Sequence, residues 1–364
     1  MAGLSLVERL RLLPDPRRRR GVRHPLVAVL PVAASAVVAG ARSYAAVAQW
    51  SANAPQHTPA RLGARAVGAL GVRVAPSAAT IRRVIALVCP GGLADLTGTD
   101  PADSNSVALD GKTARGSRHG TSPAAHFLAA TTGGRTVTQL RVPGKTNEIT
   151  RFTALLAPYD LTGVTVTADA LHTQRDHAPF LVEERNAHYL LVVKANQPEP
   201  HRRLRSLPWK DCTARRYDRE TGHGRRETRA TRALTVTGLG LDFPHTVQAA
   251  RILRHRTDLA TGRCSRQTLY TITDLTSQEA SSARLGRLAR SQWTTENRLH
   301  FVRDTAFGED ASKIRTGHGP ENLAALRNLA INTLRAAGHQ NIAAGLRHAS
   351  YEPFTRPLDL LGIA

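Results

Sequence analysis

Two aspartates follow short apolar segments that are typical of buried strands. Asp110 closes the segment SVALD and precedes Gly111, and Asp169 follows the segment VTVTA. An Asp-Gly pair taken alone is typical of a turn, whereas strand ends in an α/β sheet are where ligands bind. Two carboxylates at adjacent strand ends repel each other unless cations lie between them, and oxygen ligands suit Mg²⁺. The pattern therefore predicts a divalent-metal site at Asp110 and Asp169.

A third carboxylate, Glu296, lies in a segment with helical periodicity. One face of this helix would carry residues spaced by three and four: Gln292, Glu296, Leu299, His300 and Arg303. A third acid on a packed helix would complete a two-metal site, in which one ion activates the attacking oxygen and the other stabilises the leaving oxygen. Arg303 follows Glu296 by two helical turns, roughly 10.5 Å along the axis, where it could hold a neighbouring phosphate.

Other polar residues near these acids have two interpretations each. Lys112, Lys145 and Lys194 lie at strand ends or in loops on the predicted active face, where each either contacts phosphate or is solvated. His172 follows Asp169 by three residues, and it either orients a phosphate or water or is a hydrogen-bonded histidine at a helix start.

The overall charge favours a polyanionic partner. The 364 residues include 50 Lys and Arg against 28 Asp and Glu, which gives a formal net charge of +22. Nucleic acid is the commonest polyanion that a protein of this kind meets, although a ribosome or an anionic membrane would satisfy the same charge. The apolar run 25–41 begins far from the N-terminus and contains Pro31 and Ser35, so we interpret it as a buried helix and not as an export signal.

Residues 1–95 show helical periodicity without a strand signal. Ser77 could cap a helix that exposes Arg82 and Arg83 and buries four aliphatic residues, namely Ile81, Val84, Ile85 and Val88. This helix is either a DNA-reading helix or an ordinary amphipathic one. The run Arg17–Arg20 is likewise either a solvated cluster or a phosphate-contacting arm.

From residue 106 the pattern predicts three strands, a helix, a strand, a helix and a strand, which is a mixed α/β layer. Gly91–Asn105 marks a boundary before this layer. Residues 205–278 alternate short β-rich pieces with loops, which predicts an antiparallel insertion outside the catalytic sheet. Two further helices follow, at 281–303 and 320–337, and the Ala-rich tail is expected to add little.

The sequences around the three acids resemble those of the DDE transposases of bacterial insertion sequences, in the branch related to the H-repeat-associated proteins. The resemblance rests on LDGKTARGS at Asp110, TADALHTQ at Asp169, and WTTENRLHFVRD followed by FGEDASKIRTG at Glu296. It extends to DPRRRRGVRHPL, GHGRRETR and ENLAALRNLAINTL. Relatives with a broader Tyr-x2-Arg-x3-Glu-x6-Lys signature differ, since this chain has Ala289, Gln292 and Arg303 at the Tyr, Arg and Lys positions.

The resemblance implies a ribonuclease H-like mixed sheet core with a β-rich insertion and an all-helical N-terminal domain. Asp110, Asp169 and Glu296 would then be the catalytic and metal-binding triad. The predicted domains are a DNA-binding region at 1–95, a catalytic core at 105–204 and 279–340, an insertion at 205–278, and a tail at 341–364.

The predicted function is that of a DNA transposase. It would bind the terminal inverted repeats of its element, cleave DNA with two Mg²⁺ ions, for which Mn²⁺ can substitute, and join the ends to target DNA. Since two DNA ends must be held, we expect a homodimer in the complex, acting in the cytoplasm at the nucleoid and without membrane contact. Alternatives are a metal-dependent nuclease that cuts without joining and an inactive transposase retained as a DNA-binding protein.

Overall fold

The structure is a computed structural model, and it describes residues 4–18, 20, 22–143, 148–222 and 224–364. The helices are α1 (Leu6–Arg11), α2 (Leu26–Val38), α3 (Tyr44–Asn53), α4 (His57–Arg61), α5 (Ala78–Leu87), α6 (Pro90–Thr97), α7 (Phe152–Leu156), α8 (His177–Pro179), α9 (Pro198–Ser206), α10 (Ser282–Thr295), α11 (Phe301–Thr305), α12 (Gly319–Ala336), α13 (Ile342–Tyr351) and α14 (Arg356–Leu360). The strands are β1 (Ala66–Val67), β2 (Val72–Arg73), β3 (Ser106–Ala114), β4 (Ala125–Thr132), β5 (Arg135–Val142), β6 (Thr165–Ala168), β7 (His188–Val193), β8 (Arg215–Gly222), β9 (Arg225–Thr235), β10 (Gln248–Asp258) and β11 (Cys264–Thr273).

The N-terminal region is mainly helical, as predicted. The apolar run 25–41 forms α2, in which every residue except Val27 is buried, so its interpretation as a buried helix is confirmed. The expectation that no strand interrupts this region is wrong, because β1 and β2 form a short antiparallel hairpin. Gly68 and Gly71 have positive φ in its turn, and two-residue strands are too short to show a period of two in the sequence.

Helix α5 confirms the prediction made from the segment after Pro76. The Ser77 side chain accepts a hydrogen bond from the Thr80 amide and so caps the helix. Ile81, Val84 and Ile85 are buried. The helix therefore presents Arg82 and Arg83 on its exposed face.

The helical layer also includes the C-terminal end of the chain. The boundary predicted at Gly91–Asn105 is instead partly occupied by α6, which has Pro90 in its first turn. The tail predicted to add little forms α13 and α14, whose Ile342, Leu346 and Leu358 lie in the same core as α2 and α12. Its contribution could not be predicted because the Ala-rich sequence has little apolar periodicity and its packing partners are distant along the chain.

A nine-stranded sheet forms the other layer, in the order β5-β4-β3-β6-β7-β11-β10-β9-β8. Strands β3, β4 and β5 pair antiparallel, and Gly133 and Gly134 adopt positive φ at the predicted hairpin turn. Strand β3 pairs parallel with β6, and β6 pairs parallel with β7. The predicted mixed α/β layer is thus confirmed.

The segment 205–278 is antiparallel, as predicted, but it is not separate from the catalytic sheet. Strand β11 pairs antiparallel with β7, with Tyr270 opposite Val193, and β10, β9 and β8 continue the sheet. The expectation of an insertion outside this sheet is wrong because β7 offers a free edge that a further strand can satisfy. Within the described residues, no helix is both long and apolar enough to cross a membrane.

Candidate active site

Asp110 lies inside β3 and not at its end. The strand continues to Ala114 because β4 pairs with it along this length, as far as Ala114 opposite Ala125. The parallel partner β6 pairs only with residues 106–109. The prediction that the strand ends at Asp110 is therefore wrong, but the acid does mark the point where the pairing of β3 with β6 stops.

Asp169 directly follows β6, as predicted. Its carboxylate oxygen Oδ1 accepts a hydrogen bond from the Leu171 amide at 2.9 Å and caps the short 3₁₀ turn that follows the strand. This bond holds the side chain at the end of the strand. Because β6 is the neighbour of β3, both aspartates lie at the same part of the sheet.

Glu296 is positioned by a long helix that is not uniformly α-helical. Helix α10 is capped by Ser281, and it passes into a π-helical turn at Glu296–His300 before α11. π-Helical turns are rare in proteins overall, and those that occur are frequently found at functional sites. The sequence predicts an uninterrupted helix here, since a π-helical turn leaves no periodicity signal of its own.

Gln292 fastens this helix to the sheet. Its Nε2 donates a hydrogen bond to the Leu109 carbonyl oxygen at 2.5 Å, and its Oε1 accepts one from Thr167 Oγ1 at 3.2 Å. Leu109 directly precedes Asp110 on β3, and Thr167 of β6 lies two residues before Asp169. The helix is therefore held against the two strands that carry Asp110 and Asp169.

His300 brings Asp110 and Glu296 together. Its Nδ1 lies 3.5 Å from Asp110 Oδ2 and 3.4 Å from Glu296 Oε2. One ligand atom from each of these three residues lies within 4.8 Å of the other two. The His300 side chain is buried, whereas that of Glu296 is 67% exposed. His300 follows Glu296 by four residues, on the same predicted helix face, but we did not predict it as a site residue.

The electrostatics of the cluster show an excess of negative charge. The pKa of Asp110 is raised to about 7, chiefly by burial and in addition by the charges of Glu296, Asp169 and Glu148. The pKa of Glu296 is lowered, chiefly by its interaction with His300. Burial lowers the pKa of His300.

Comparison with known proteins decides the family. The family model described as "Transposase DDE domain" matches residues 101–333. This chain belongs to the DDE transposase family. A second model, described as DDE_Tnp_1-associated, matches residues 7–98 of this DDE transposase.

Curated relatives agree with this family over most of the chain. The chain is 28% identical to "Putative transposase YncI" of Escherichia coli O157:H7, over 91% of this chain and 87% of the relative. It is 27% identical to "H repeat-associated putative transposase YhhI" of Escherichia coli K12, over 94% of this chain and 93% of the relative. A protein in the dhlA 3′ region of Xanthobacter autotrophicus is 32% identical, over 60% of this chain and 76% of the relative.

The acids of this DDE transposase fit a divalent cation. The cluster offers carboxylate oxygens, which hard divalent ions prefer. Burial and, after it, the negative charges of neighbouring acids raise the pKa of Asp110, and a cation would balance those charges. Asp169 is outside the set of ligand atoms within 4.8 Å, which comprises Asp110, Glu296 and His300 among the described residues. Its charge nevertheless acts on Asp110.

Three residues predicted to contact phosphate are buried in this DDE transposase. Arg303 is 0% exposed, and its Nε and Nη2 donate hydrogen bonds to the Glu309 carboxylate at 2.8 and 2.7 Å. Lys112 is 8% exposed and binds Asp304 at 2.7 Å. His172 is 1% exposed. Arg303 and Lys112 are held by carboxylates of the protein itself and His172 is enclosed, so a phosphate contact by these three side chains stays a prediction.

The remaining predicted DNA contacts have different positions. Lys145 lies outside the described residues. Lys194 is exposed directly after β7. Arg83 lines a groove between α5 and the N-terminal segment, together with further arginines at 17, 18, 20 and 23. Arg82 is exposed on the same helix but is not among the residues that line this groove.

Proposed function

We propose that this protein is a DNA transposase that binds the terminal inverted repeats of its element. It hydrolyses a phosphodiester to expose a 3′-OH and joins that end to target DNA. The observation that carries the proposal is the convergence of Asp110, Glu296 and His300 beside Asp169, in a chain of the DDE transposase family. No covalent intermediate between protein and DNA is part of this mechanism.

The order of the first five strands of the sheet supports a ribonuclease H-like core. Three antiparallel strands, β5-β4-β3, continue into two parallel ones, β6 and β7. Asp110 and Asp169 lie on the central neighbours β3 and β6, and Glu296 approaches from the helix that packs against them. Strands β8–β11 extend this core at its β7 edge.

The triad would hold two Mg²⁺ ions, for which Mn²⁺ can substitute. When bound, these ions supply activation of the attacking oxygen and stabilisation of the leaving oxygen. The protein contributes positioning. Gln292 fixes the helix against β3 and β6, and His300 faces both Asp110 and Glu296, so the carboxylates are oriented before the ions arrive.

DNA binding would be supplied by the basic surface of the N-terminal layer. The exposed Arg82 and Arg83 on α5 and the arginines at 18, 20 and 23 are suited to neutralise phosphates. Lys194, next to the sheet, is a further candidate for phosphate contact. Two DNA ends must be joined in one event, which favours a homodimer in the DNA complex, acting at the nucleoid.

The proposal is tested by separating binding from chemistry with different metal ions. The full chain is mixed with DNA flanking its gene in Ca²⁺, and Mg²⁺ is then added. We expect binding in Ca²⁺ with little or no cleavage, and cleaved and joined products in Mg²⁺ or Mn²⁺, because the chemistry requires tighter coordination geometry than binding does. Cleavage without any joined product would indicate a nuclease instead, and binding without cleavage in Mg²⁺ would indicate an inactive relative.

A further inference from the structure

Strands β8–β11 extend the sheet beyond the part that packs against α10. Near α10, Ala250, Ile252 and Leu269 of these strands are buried in a core with residues of that helix. Farther out the burial stops, because every residue of β8 except Asp218 is exposed, and so are the first five residues of β11. The outer part of the four strands is therefore open to solvent.

The strand register divides the charged residues of β8–β11 unequally between the two faces of the sheet. Residues paired across neighbouring strands share a face, and successive residues of a strand alternate between faces. The face that carries Ile252 also carries every acid of these strands, namely Asp218, Glu220, Glu227 and Asp258. Over the described strands, the other face has no acid. We call it the arginine face, because it carries Arg215, Arg219, Arg226, Arg232, Arg251 and Arg266.

Arginines on the arginine face lie directly opposite one another. Arg215 of β8 is the partner of Arg232 of β9, and Arg232 is in turn the partner of Arg251 of β10. Like charges opposite each other on neighbouring strands destabilise a sheet. The other face of the same strands places opposite charges together, with Asp218 across from Arg229. A basic composition alone would affect both faces alike, so the segregation of charge requires a further explanation.

The exposed arginines of the arginine face have no partner among the described residues. Arg232 donates a hydrogen bond to the Trp209 carbonyl oxygen, and the Arg251 guanidinium lies 5.4 Å from the centre of the Trp209 ring. The other four are exposed and form no ion pair or hydrogen bond with a described residue, namely Arg215, Arg219, Arg226 and Arg266. A surface with charges of one sign attracts ligands of the opposite charge, so this surface is suited to a polyanion.

The width of the arginine face determines which part of a DNA duplex it can contact. Arg219, Thr228, His255 and Arg266 form one row across β8, β9, β10 and β11. Four strands spaced about 4.8 Å apart span roughly 14 Å, whereas the major groove is about 12 Å wide and admits a helix or a two-stranded ribbon. The face is therefore too wide to enter the groove and read base edges. It can contact phosphates with its arginines and with the exposed hydroxyl of Tyr217.

We propose that the arginine face is a DNA-binding surface that contacts the phosphates of a duplex without reading its sequence. The inference rests on the proposed function and adds a second contact surface to that of the N-terminal layer. A second copy of the chain is a poorer occupant than DNA, because each copy has a formal net charge of +22 and two such copies repel each other at a cationic face.

The test removes two charges from the arginine face and, in a matched control, two charges from the other face. The test variant of the full chain combines Arg219→Gln with Arg226→Gln, which removes one exposed arginine from β8 and one from β9. The control combines Arg216→Gln with Arg225→Gln, which removes one exposed arginine from each of the same strands on the face that carries the acids.

Fluorescence anisotropy at several salt concentrations measures binding to the DNA that flanks the gene and to a duplex of unrelated sequence. We expect the test variant to lower the slope of log affinity against log salt by about two for both duplexes, because each arginine neutralises about one phosphate. The control should keep the slope of the wild type. An unchanged slope in the test variant, or an equal fall in both variants, would overturn the inference.

A measurement on the wild type protects the test against misfolding of a variant, which circular dichroism would reveal. Phenylglyoxal modifies accessible arginines, and mass spectrometry locates the modified residues with and without duplex DNA. We expect DNA to protect Arg219 and Arg226 and to leave Arg216 and Arg225 reactive. Equal reactivity of Arg219 and Arg226 with and without DNA would overturn the inference.

The wild type separates this inference from the proposed function. If the wild type binds, cleaves and joins DNA in Mg²⁺ while the test variant keeps the wild-type slope, the proposed function stands and the DNA contact of the arginine face fails. If the wild type binds no duplex DNA, both fail together. An unchanged slope with an altered oligomeric state of the test variant would assign the face to a second copy of the chain and would also overturn the inference.

Discussion

At the scale of single residues, Asp110 is an acid of the candidate active site whose charged form is destabilised by its surroundings. It is surrounded by Glu296, Asp169 and Glu148, and burial adds to their effect on its pKa. In the folded, metal-free protein this carboxyl binds a proton up to about pH 7, whereas in the unfolded chain it releases the proton near pH 4. The free energy of unfolding should therefore fall as the pH rises through this window.

The first prediction is that Asp110→Asn stabilises the metal-free protein. Asparagine removes the charge, so the variant should gain on the order of 2 kcal/mol over the wild type at pH 8 in excess chelator, and less at pH 5. Urea unfolding at both pH values, followed by circular dichroism, measures the difference. A variant that is less stable than the wild type at pH 8 would show that burial and the neighbouring charges do not destabilise the Asp110 carboxylate.

At the scale of elements, α5 connects the sequence pattern to DNA binding. Its cap at Ser77 and its buried Ile81, Val84 and Ile85 fix which side faces outward. Arg83 on that side lines a groove with the arginine-rich N-terminal segment. The helix therefore places a cation next to the exposed arginines at 18, 20 and 23, an arrangement suited to phosphate contacts.

The second prediction concerns Arg83. Arg83→Gln should weaken binding to the DNA that flanks the gene and to DNA of other sequences by a similar factor. It should also reduce the slope of log affinity against log salt by about one. The control is Arg202→Gln, because Arg202 is an exposed arginine on α9 that is paired with Glu199. Fluorescence anisotropy between low and moderate salt gives the slopes. An unchanged slope for Arg83→Gln would exclude a phosphate contact at this position.

The helices and strands also show which parts of the fold could be predicted from the sequence alone. The hairpin β4–β5, the strands β6 and β7, and α5 have local signals such as paired glycines, apolar runs and a capping serine, and these predictions are confirmed. The length of β3 depends on β4, the π-helical turn depends on packing, and the burial of Arg303 depends on Glu309 and Arg327. None of these partners could be assigned without the fold.

The candidate site was predictable to a similar degree. Asp110, Asp169 and Glu296 each stand in a recognisable local motif, so the sequence could name them. The approach of His300 to Asp110 became visible only when β3 and the π-helical turn were assembled. For Arg303 and Lys112 the sequence could not show the carboxylate partners, because a positive charge near an acid does not reveal whether its partner is a phosphate, water or a carboxylate of the same protein.

At the scale of the whole molecule, the sheet is one continuous structure. Residues 205–278 supply β8–β11, and β11 covers the edge of β7. Ala250, Ile252 and Leu269 from these strands pack in a core with Leu285 and Leu288 of α10, the helix that leads to Glu296. Helix α10 therefore packs partly against the strands of this segment.

The third prediction follows from this continuity. Replacing residues 205–278 by a short Gly/Ser linker should expose β7 and the apolar face of α10, and the trimmed protein should aggregate or fail to fold. Size-exclusion chromatography and circular dichroism give the answer. A monodisperse, folded product that still binds Mn²⁺ would mean that the segment is dispensable for the core.

The central claim is that Asp110, Asp169 and Glu296 act as one metal centre for DNA cleavage and joining. The most direct measurement incubates the wild type, Asp110→Asn, Asp169→Asn and Glu296→Gln with DNA flanking the gene in Mg²⁺, and quantifies bound, cleaved and joined DNA for each. We predict that every variant binds the DNA ends as the wild type does and yields neither cleaved nor joined product, because the centre works as a unit. Normal cleavage by Glu296→Gln, or full cleavage by the wild type in excess chelator, would contradict the account.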